Sequence, residues 1–240
     1  MLKKALVTGS AKGIGKAIAL DLASKGFDVA FHYNSSEEAA KQNCKEAASH
    51  GVKAIALQAD ITKPEKAESL VENTAAQLGG LSVVVNVVGN FLLEKPTSEM
   101  QVQEWLDVLD SNLNATFYIT QSAIPYLKAA KVGRIVNFGS ASAQNVIAHK
   151  LSTPYMIAKT GIIVYTKSLA KELAKDNITA NIVSPGVAET SVGLEETIPI
   201  LPMKRPATVE EISNAVWFFI SPKADYITGQ VLEVAGAWRV

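Results

Sequence analysis

The stretch Thr8-Gly9-Ser10-Ala11-Lys12-Gly13-Ile14-Gly15 decides the fold, because it joins an apolar, strand-like run to a helix-like run. Glycines at such a junction allow a tight turn and let backbone N–H groups approach a pyrophosphate, and the helix adds unpaired amides and the positive end of its dipole. The spacing is GxxxGxG rather than the commoner GxGxxG. A loop that binds a dinucleotide is favoured, and a turn without a ligand is the alternative.

A nucleoside triphosphate P-loop is the competing phosphate motif, and it requires GxxxxGK[ST]. Ser10 stands where the first glycine is needed, and Ala17 replaces the hydroxyl residue that binds Mg²⁺. The sequence therefore excludes a P-loop nucleotide triphosphatase.

Outward from this loop, seven apolar runs alternate with amphipathic stretches. The predicted strands are Lys4–Thr8, Asp28–His32, Lys53–Gln58, Leu81–Val87, Arg134–Phe138, Thr179–Val183 and Val231–Val234. Nearly continuous apolar runs are typical of parallel strands covered on both faces, and the alternation indicates βαβ units. The predicted helices between them include Ile14–Lys25, Ser36–Ser49 and Pro64–Leu78. We therefore predict one doubly wound α/β domain over residues 1–240. The aperiodic stretch Val187–Arg205 is expected to be a substrate loop, with a solvated excursion as the alternative.

The amino-acid composition excludes several classes of protein and of binding site. The chain has 240 residues, of which 48% are hydrophobic and 19% charged, and this excludes a disordered protein. The 23 basic and 23 acidic residues balance, which argues against a nucleic-acid or polybasic membrane surface. One cysteine, Cys44, rules out an internal disulfide, and the three histidines are read as ordinary surface or strand residues, so no metal is expected. With no apolar run of membrane length, a soluble cytoplasmic protein is predicted.

The end of the second strand bears on the choice of dinucleotide. An NAD site usually carries an acid about 20 residues beyond the glycines, where it binds the ribose hydroxyls. That position falls at Tyr33-Asn34-Ser35, which contains no acid, and Lys12 offers a cation to a 2′-phosphate. We therefore expect NADP(H) rather than NAD(H), while a solvated loop charge is the alternative for Lys12.

A candidate acid–base pair opens the helix predicted from Pro154 to about Ala174. Tyr155 and Lys159 are four residues apart and share one helix face. An ammonium ~4 Å from the phenol, at an effective dielectric of ~20, favours the phenolate by ~4 kcal/mol. This predicts a Tyr155 pKa lowered toward neutral. On its own, a YxxxK motif favours an exposed helix pair, so the catalytic interpretation depends on accompanying residues.

Two further residues support a catalytic interpretation. Ser140 follows the strand Arg134–Phe138, and the carboxyl ends of parallel strands face the ligand crevice. A hydroxyl there can polarise a substrate carbonyl. Asn112 is expected to order a water or the backbone near Lys159, or else to be an ordinary helical or capping amide.

Taken together, these motifs resemble the short-chain dehydrogenase/reductase family. The residues that carry the resemblance are Thr8–Gly15, Asp60-Ile61, Asn86-Val87-Val88-Gly89, Asn112, Gly139-Ser140, Tyr155–Lys159 and Asn181–Thr190. They occur in the family order and span nearly the whole chain. The resemblance implies a Rossmann-type sheet of seven parallel strands with helices on both faces.

The resemblance also implies roles for these residues. Tyr155 donates the proton during carbonyl reduction, Lys159 lowers its pKa and holds the nicotinamide ribose, Ser140 positions the carbonyl, and Asn112 supports a water relay. Asp60 and Ile61 are expected beside the adenine, Asn86 and Gly89 along the adenosine side of the cleft, and Pro185, Gly186, Val187 and Thr190 beside the nicotinamide. The remaining cofactor-binding candidates are Gly9, Ser10, Lys12, Gly13, Ile14, Gly15, Asn34 and Ser35.

Three departures from the family pattern affect the details. First, Asn86-Val87-Val88-Gly89 carries valines where relatives have smaller residues. Second, the segment between Ser140 and Tyr155 is slightly longer than usual and ends in Pro154. Third, Gly236-Ala237 stands where many relatives have a Gly-Gly pair near the carboxyl terminus. The substrate side is therefore expected to differ more than the cofactor side.

Within the family, the chain is similar to NADPH-dependent 3-oxoacyl-[acyl-carrier-protein] reductases of fatty acid biosynthesis. The expected substrate is a small or carrier-bound 3-oxoacyl thioester. Reduction of a pteridine, a sugar or another small carbonyl is the alternative, and a non-catalytic NADP-sensing regulator is a rival of another class. The resemblance also implies a homotetramer, with Thr160–Leu173 and the tail Gly229–Val240 as candidate contacts.

Overall fold

A computed structural model describes residues 2–89 and 95–238. Seven parallel strands form one sheet in the order β3-β2-β1-β4-β5-β6-β7. The strands are β1 Lys4–Val7, β2 Asp28–Tyr33, β3 Ala54–Gln58, β4 Val83–Asn86, β5 Gly133–Phe138, β6 Ile178–Pro185 and β7 Val231–Val234. The predicted Rossmann-type sheet is confirmed, and each strand lies within two residues of its predicted bounds.

Within the described part of the chain, eight α-helices connect and cover the strands. They are α1 Gly13–Ser24, α2 Glu37–Ala48, α3 Pro64–Leu78, α4 Val102–Leu109, α5 Ala115–Ala129, α6 Thr153–Leu173, α7 Leu194–Thr197 and α8 Val209–Ile220. A π-helical turn, Asp110–Asn114, joins α4 to α5. Among these described helices, none is long and apolar enough to cross a bilayer.

The core lies in two layers, one on each face of the sheet. Val83 and Val85 on β4 point into the layer that contains α1 and α8, whereas Val84 points into the layer that contains α3, α5 and α6. All three valines are fully buried. Because successive side chains of a strand alternate between faces, a strand covered twice must be apolar throughout, as the sequence pattern predicted.

The strand order reverses between β1 and β4, and in such sheets the ligand crevice lies outside the carboxyl ends of the strands at that switch. The stretch Val187–Arg205, expected to be a substrate loop, contains the single turn α7 and a 3₁₀ turn at Ile198–Ile200. One helical turn is too short to show a period in the sequence. Ala188 pairs with Ala207 at the base of the loop.

Candidate active site

The glycine loop turns the chain sharply from β1 into α1. Gly9 and Gly13 have φ values of +63° and +55°, a region that residues with a side chain rarely adopt. Gly15 is required for a different reason, since a Cβ there would collide with the carbonyl group of Gly9. The three glycines therefore allow a tight turn that residues with side chains would strain or block.

The amino terminus of α1 is open to an anion. Lys12 occupies the N-cap position without a side-chain capping bond, and the first turn contains no acid. The helix amides and the positive dipole end therefore have no carboxylate against them, and the loop fits a pyrophosphate. Thr190, beyond β6, lies 3.9 Å from where a Gly13 Cβ would be, so the start of the substrate loop reaches this helix end. Ser10 is buried and donates to the Val7 carbonyl at 2.8 Å, and Ile14 packs against the core.

The end of β2 matches the expected ribose position. Asn34 and Ser35 are exposed there, and Gln58 donates to the Asn34 carbonyl at 3.1 Å. The nearest acid along the chain, Glu37, is on α2 and pairs with Lys41 at 2.8 Å. Lys12 is exposed. The region thus combines an uncharged strand end with a cation in the glycine loop.

Asp60 and Ile61 follow β3, at the same edge of the sheet. Asp60 Oδ1 accepts hydrogen bonds from the Thr62 hydroxyl at 2.7 Å and the Thr62 amide at 3.1 Å. The Thr62 hydroxyl bond is the main reason that the pKa of Asp60 is lowered. Ile61 is buried in the core. The Asp60 carboxylate thus caps its own turn, and Ile61 anchors the segment beside the expected adenine position.

The hydroxyl groups of Ser140 and Tyr155 meet at the end of β5. Ser140 lies two residues beyond the strand, and Tyr155 is in the first turn of α6. The two side chains form a hydrogen bond, which lowers the pKa of Tyr155, but burial raises it more. The phenol is therefore neutral at physiological pH and able to donate a proton.

The expectation that Lys159 lowers the pKa of Tyr155 toward neutral is wrong for this structure. Lys159 Nζ lies over the Tyr155 ring, 5.4 Å from its centroid, and donates to the Phe138 carbonyl at 3.1 Å. Lys159 is only 4% exposed, and burial lowers its own pKa to about 8. Burial thus opposes the expected effect of the lysine, because a low-dielectric surrounding disfavours the ionised forms of both groups.

Asn112, Gly89 and Lys159 converge behind the tyrosine. Asn112 lies on the π-helical turn, is fully buried, and donates from Nδ2 to the Val108 carbonyl at 3.0 Å. A Cβ on Gly89 would lie 2.8 Å from Asn112 Cγ and 3.3 Å from Lys159 Nζ. Such π turns often occur at functional sites, where they direct one side chain away from the regular helix face.

Asn86, the last residue of β4, is held in place by side chains of neighbouring elements. Its amide is buried and donates to Thr120 Oγ1 at 3.0 Å and to Asn137 Oδ1 at 2.9 Å. Asn137 in turn donates to Thr166 Oγ1 at 2.9 Å. This chain of hydrogen bonds ties β4 to α5, β5 and α6. Val88 packs on the glycine loop, where a Gly9 Cβ would come within 2.8 Å of its Cγ2.

The segment after Ser140 is fixed from two sides. The Ala141 amide donates to the Pro185 carbonyl, and the Ser142 amide donates to Glu233 Oε1, both at 2.9 Å. Ser142 has a φ of +67°, so the turn is strained. Beyond Pro185, the Gly186 amide donates to Val234 and the Val187 carbonyl accepts from Ala207. Sequence reasoning missed Glu233, and the one available signal was an acid within the strand-like run VLEV.

The comparisons with known proteins agree with this geometry. A family model described as enoyl-(acyl carrier protein) reductase matches residues 9–237. The 3-oxoacyl-[acyl-carrier-protein] reductase FabG of Staphylococcus aureus (strain Mu50) is 36% identical, with 98% of each chain covered.

Two solved structures were also found. A blue fluorescent protein from a metagenomic library, in complex with NADPH, has a TM-score of 0.92 at 33% identity, covering 99% of this chain and 98% of that one. The acetoin dehydrogenase YohF of Salmonella typhimurium has a TM-score of 0.90 at 33% identity, covering 98% and 96%. With matches of this extent, the chain belongs to the short-chain dehydrogenase/reductase family of oxidoreductases.

Proposed function

We propose that this protein reduces a ketone to a secondary alcohol with NADPH, and that a 3-oxoacyl thioester is its substrate. One observation carries the proposal: the hydroxyls of Ser140 and Tyr155 are hydrogen-bonded at the carboxyl edge of the sheet, next to buried Lys159. Two hydroxyls so placed can both bind one carbonyl oxygen. The 36% identity to a 3-oxoacyl-[acyl-carrier-protein] reductase over nearly the whole chain supports the substrate class.

NADPH, when bound, supplies the hydride. Tyr155 holds the proton that the carbonyl oxygen takes up, since burial keeps its phenol neutral. Ser140 orients that oxygen and stabilises the negative charge that grows on it. The strained turn at Ser142 and its bond to Glu233 keep the Ser140 segment in place.

Lys159 responds to the loss of the tyrosine proton. With a pKa of about 8, Lys159 is still mostly an ammonium at neutral pH. The negative charge that grows on the tyrosine oxygen therefore develops beside a cation, and each charge stabilises the other. Asn112 lies against Gly89, close to Lys159.

The cofactor is NADP(H), which would be held at four places. Gly9, Gly13 and Gly15 would cradle the pyrophosphate, and Lys12, Asn34 and Ser35 would surround the 2′-phosphate. Asp60, Ile61, Asn86 and Gly89 would border the adenosine half. Pro185, Gly186, Val187 and Thr190 would flank the nicotinamide with Tyr155 and Lys159. The absence of an acid at the end of β2 supports the phosphate form, since a carboxylate there would repel it.

A second candidate substrate class is small diketones, pteridines and sugars. The structural similarity to an acetoin dehydrogenase favours it. NADPH oxidation with acetoacetyl thioesters, measured beside diacetyl and a pteridine, decides between the two. A higher kcat/KM for the thioester supports the first proposal, and turnover of diacetyl or pteridine alone refutes it.

The variant Tyr155→Phe distinguishes an enzyme from an NADP-sensing protein. An enzyme of this mechanism loses turnover by at least ~10²-fold and keeps its affinity for NADPH, because general acid catalysis contributes that much. NADPH binding is followed by fluorescence and turnover by absorbance. Equal turnover in the variant and the wild type refutes the proposed role of Tyr155.

We further propose a homotetramer. Val164 on α6 is 62% exposed, and Phe117 on α5 and Ile157 on α6 are also exposed, so an apolar face is available for a neighbouring copy. The tail proposed as a second contact is described to residue 238, and residues 239–240 lie outside the described part. Light scattering at micromolar concentration tests this, and a monomer refutes it.

A further inference from the structure

His32 on β2 touches two segments that the proposed cofactor site uses. Its side chain is 2% exposed. The Gly9 amide in the glycine loop donates to Nδ1 at 3.0 Å, and Nε2 lies 3.0 Å from the Ala59 carbonyl, just before Asp60. One imidazole therefore bridges the pyrophosphate loop and the segment expected beside the adenine.

These partners determine the tautomer of the ring. A backbone carbonyl only accepts, so Nε2 must carry the hydrogen that it donates to Ala59. A backbone amide only donates, so Nδ1 must be the unprotonated acceptor of the Gly9 N–H. A doubly protonated ring would place an N–H against the N–H of Gly9 and break this bond.

We propose that His32 is a positioning residue for NADP(H): its neutral ring holds the glycine loop and the Ala59–Ile61 segment at the separation that the dinucleotide needs, and protonation of the ring loosens binding. The inference rests on the proposed cofactor site. If His32 only filled space in the core, its two ring nitrogens would not both need to contact segments of the proposed cofactor site.

Among the hydrogen bonds that the described residues make to the loop here, the one from Gly9 to His32 is the one whose acceptor titrates. The Ser10 amide donates to the His32 carbonyl at 2.9 Å, and Asn43 on α2 donates to the carbonyls of Ser10 and Ala11. Those contacts do not titrate. Burial lowers the pKa of His32, and the charge of Asp60 opposes this more weakly. The ring is thus neutral at pH 7 and gains its proton in more acidic solution.

Two amide variants separate the two ring contacts. His32→Asn keeps an acceptor where Nδ1 lies and loses the bond to Ala59, whereas His32→Gln reaches toward Ala59 and loses the acceptor for Gly9. We expect both variants to bind NADPH more weakly than wild type, His32→Gln by about 5- to 10-fold, because each variant releases one of the two segments, with kcat unchanged in both. Thermal unfolding measured alongside reports any general loss of stability.

The pH profile gives the readout that packing alone would not change. NADPH dissociation constants are compared between pH 5 and 7.5 for wild type and His32→Asn. Any titration of the 2′-phosphate affects both proteins equally, so the ratio of their dissociation constants reports on His32 alone. NADPH binding to the wild type should weaken more at low pH than NADPH binding to the variant. Equal profiles, or equal affinity of all variants, would overturn the inference. A wild type that binds no NADPH overturns the proposed cofactor site as well.

A measurement on wild type alone covers the case in which the variants do not fold. The ¹⁵N chemical shifts of the His32 ring at pH 7 should show hydrogen on Nε2 only. A ring protonated on Nδ1, or on both nitrogens, overturns the proposal.

Discussion

Gly89→Ala tests whether the site behind Tyr155 is as closely packed as the structure shows. The added Cβ would lie 2.8 Å from Asn112 Cγ, and carbon atoms pack at ~3.5–4.0 Å, so about 1 Å of movement is needed. Lys159 Nζ, at 3.3 Å, blocks a second direction. Both neighbours are buried, and overpacking of this kind costs ~1–3 kcal/mol. A displacement near 1 Å at a catalytic group lowers kcat by about 10²-fold.

Gly133→Ala is the matched control for this variant. A Cβ there would also lie 2.8 Å from a neighbouring carbon, Ile178 Cγ1, but Gly133 begins β5 at the opposite edge of the sheet. Thermal unfolding and kcat with NADPH are measured for both variants. We expect similar losses of stability, with a fall in kcat for Gly89→Ala alone. An unchanged kcat in Gly89→Ala, or an equal fall in both, refutes the reasoning.

Three further predictions concern single residues. Burial lowers the pKa of Lys159 from 10.5 to about 8, so its charge destabilises the fold fully below pH 8 and the cost fades toward pH 10.5. Lys159→Met should therefore raise Tm most below pH 8, and a pH-independent difference contradicts this. Glu233→Ala leaves the buried Ser142 amide unpaired, which costs ~1–3 kcal/mol of stability and should reduce kcat. Glu233→Gln keeps an acceptor for that amide and should retain most of the wild-type kcat in the same assay. Thr208→Ala removes the capping box that Thr208 forms with Glu211 at the start of α8. It should lower the free energy of unfolding by ~1 kcal/mol, or Tm by ~2–4 °C, with kcat retained. An unchanged Tm would show that the cap does not stabilise the helix.

The sheet was predictable because helices pack on both of its faces, so its strands are apolar on both sides. Continuous runs such as Val83-Val84-Val85 fit only a buried parallel strand flanked by helices, and the seven runs alternate regularly with amphipathic stretches. The glycine loop was predictable for a similar reason, since strand, glycines and helix follow one another directly. The single turn of α7 was not, because four residues carry no period.

The residues that sequence reasoning missed act through contacts far apart in the chain. Glu233 reaches Ser142 across 91 positions, and His32 reaches Gly9 and Ala59 across 23 and 27. A lone histidine in an apolar strand resembles many buried histidines, so its pattern did not reveal that both nitrogens meet loops of the cleft. Only strand order brings β2 between those loops.

The failed prediction about Tyr155 changes the account of the chemistry. If Lys159 lowered the phenol pKa in the resting site, the proton needed for reduction would already be partly lost at neutral pH. Burial instead raises the pKa of Tyr155, so at neutral pH a neutral phenol lies beside Lys159, whose pKa of about 8 leaves it mostly an ammonium. Proton donation then creates a phenolate beside that ammonium, and attraction between the two charges grows only as the reaction proceeds. Stabilisation that appears in the transition state and not in the ground state is the kind that raises kcat.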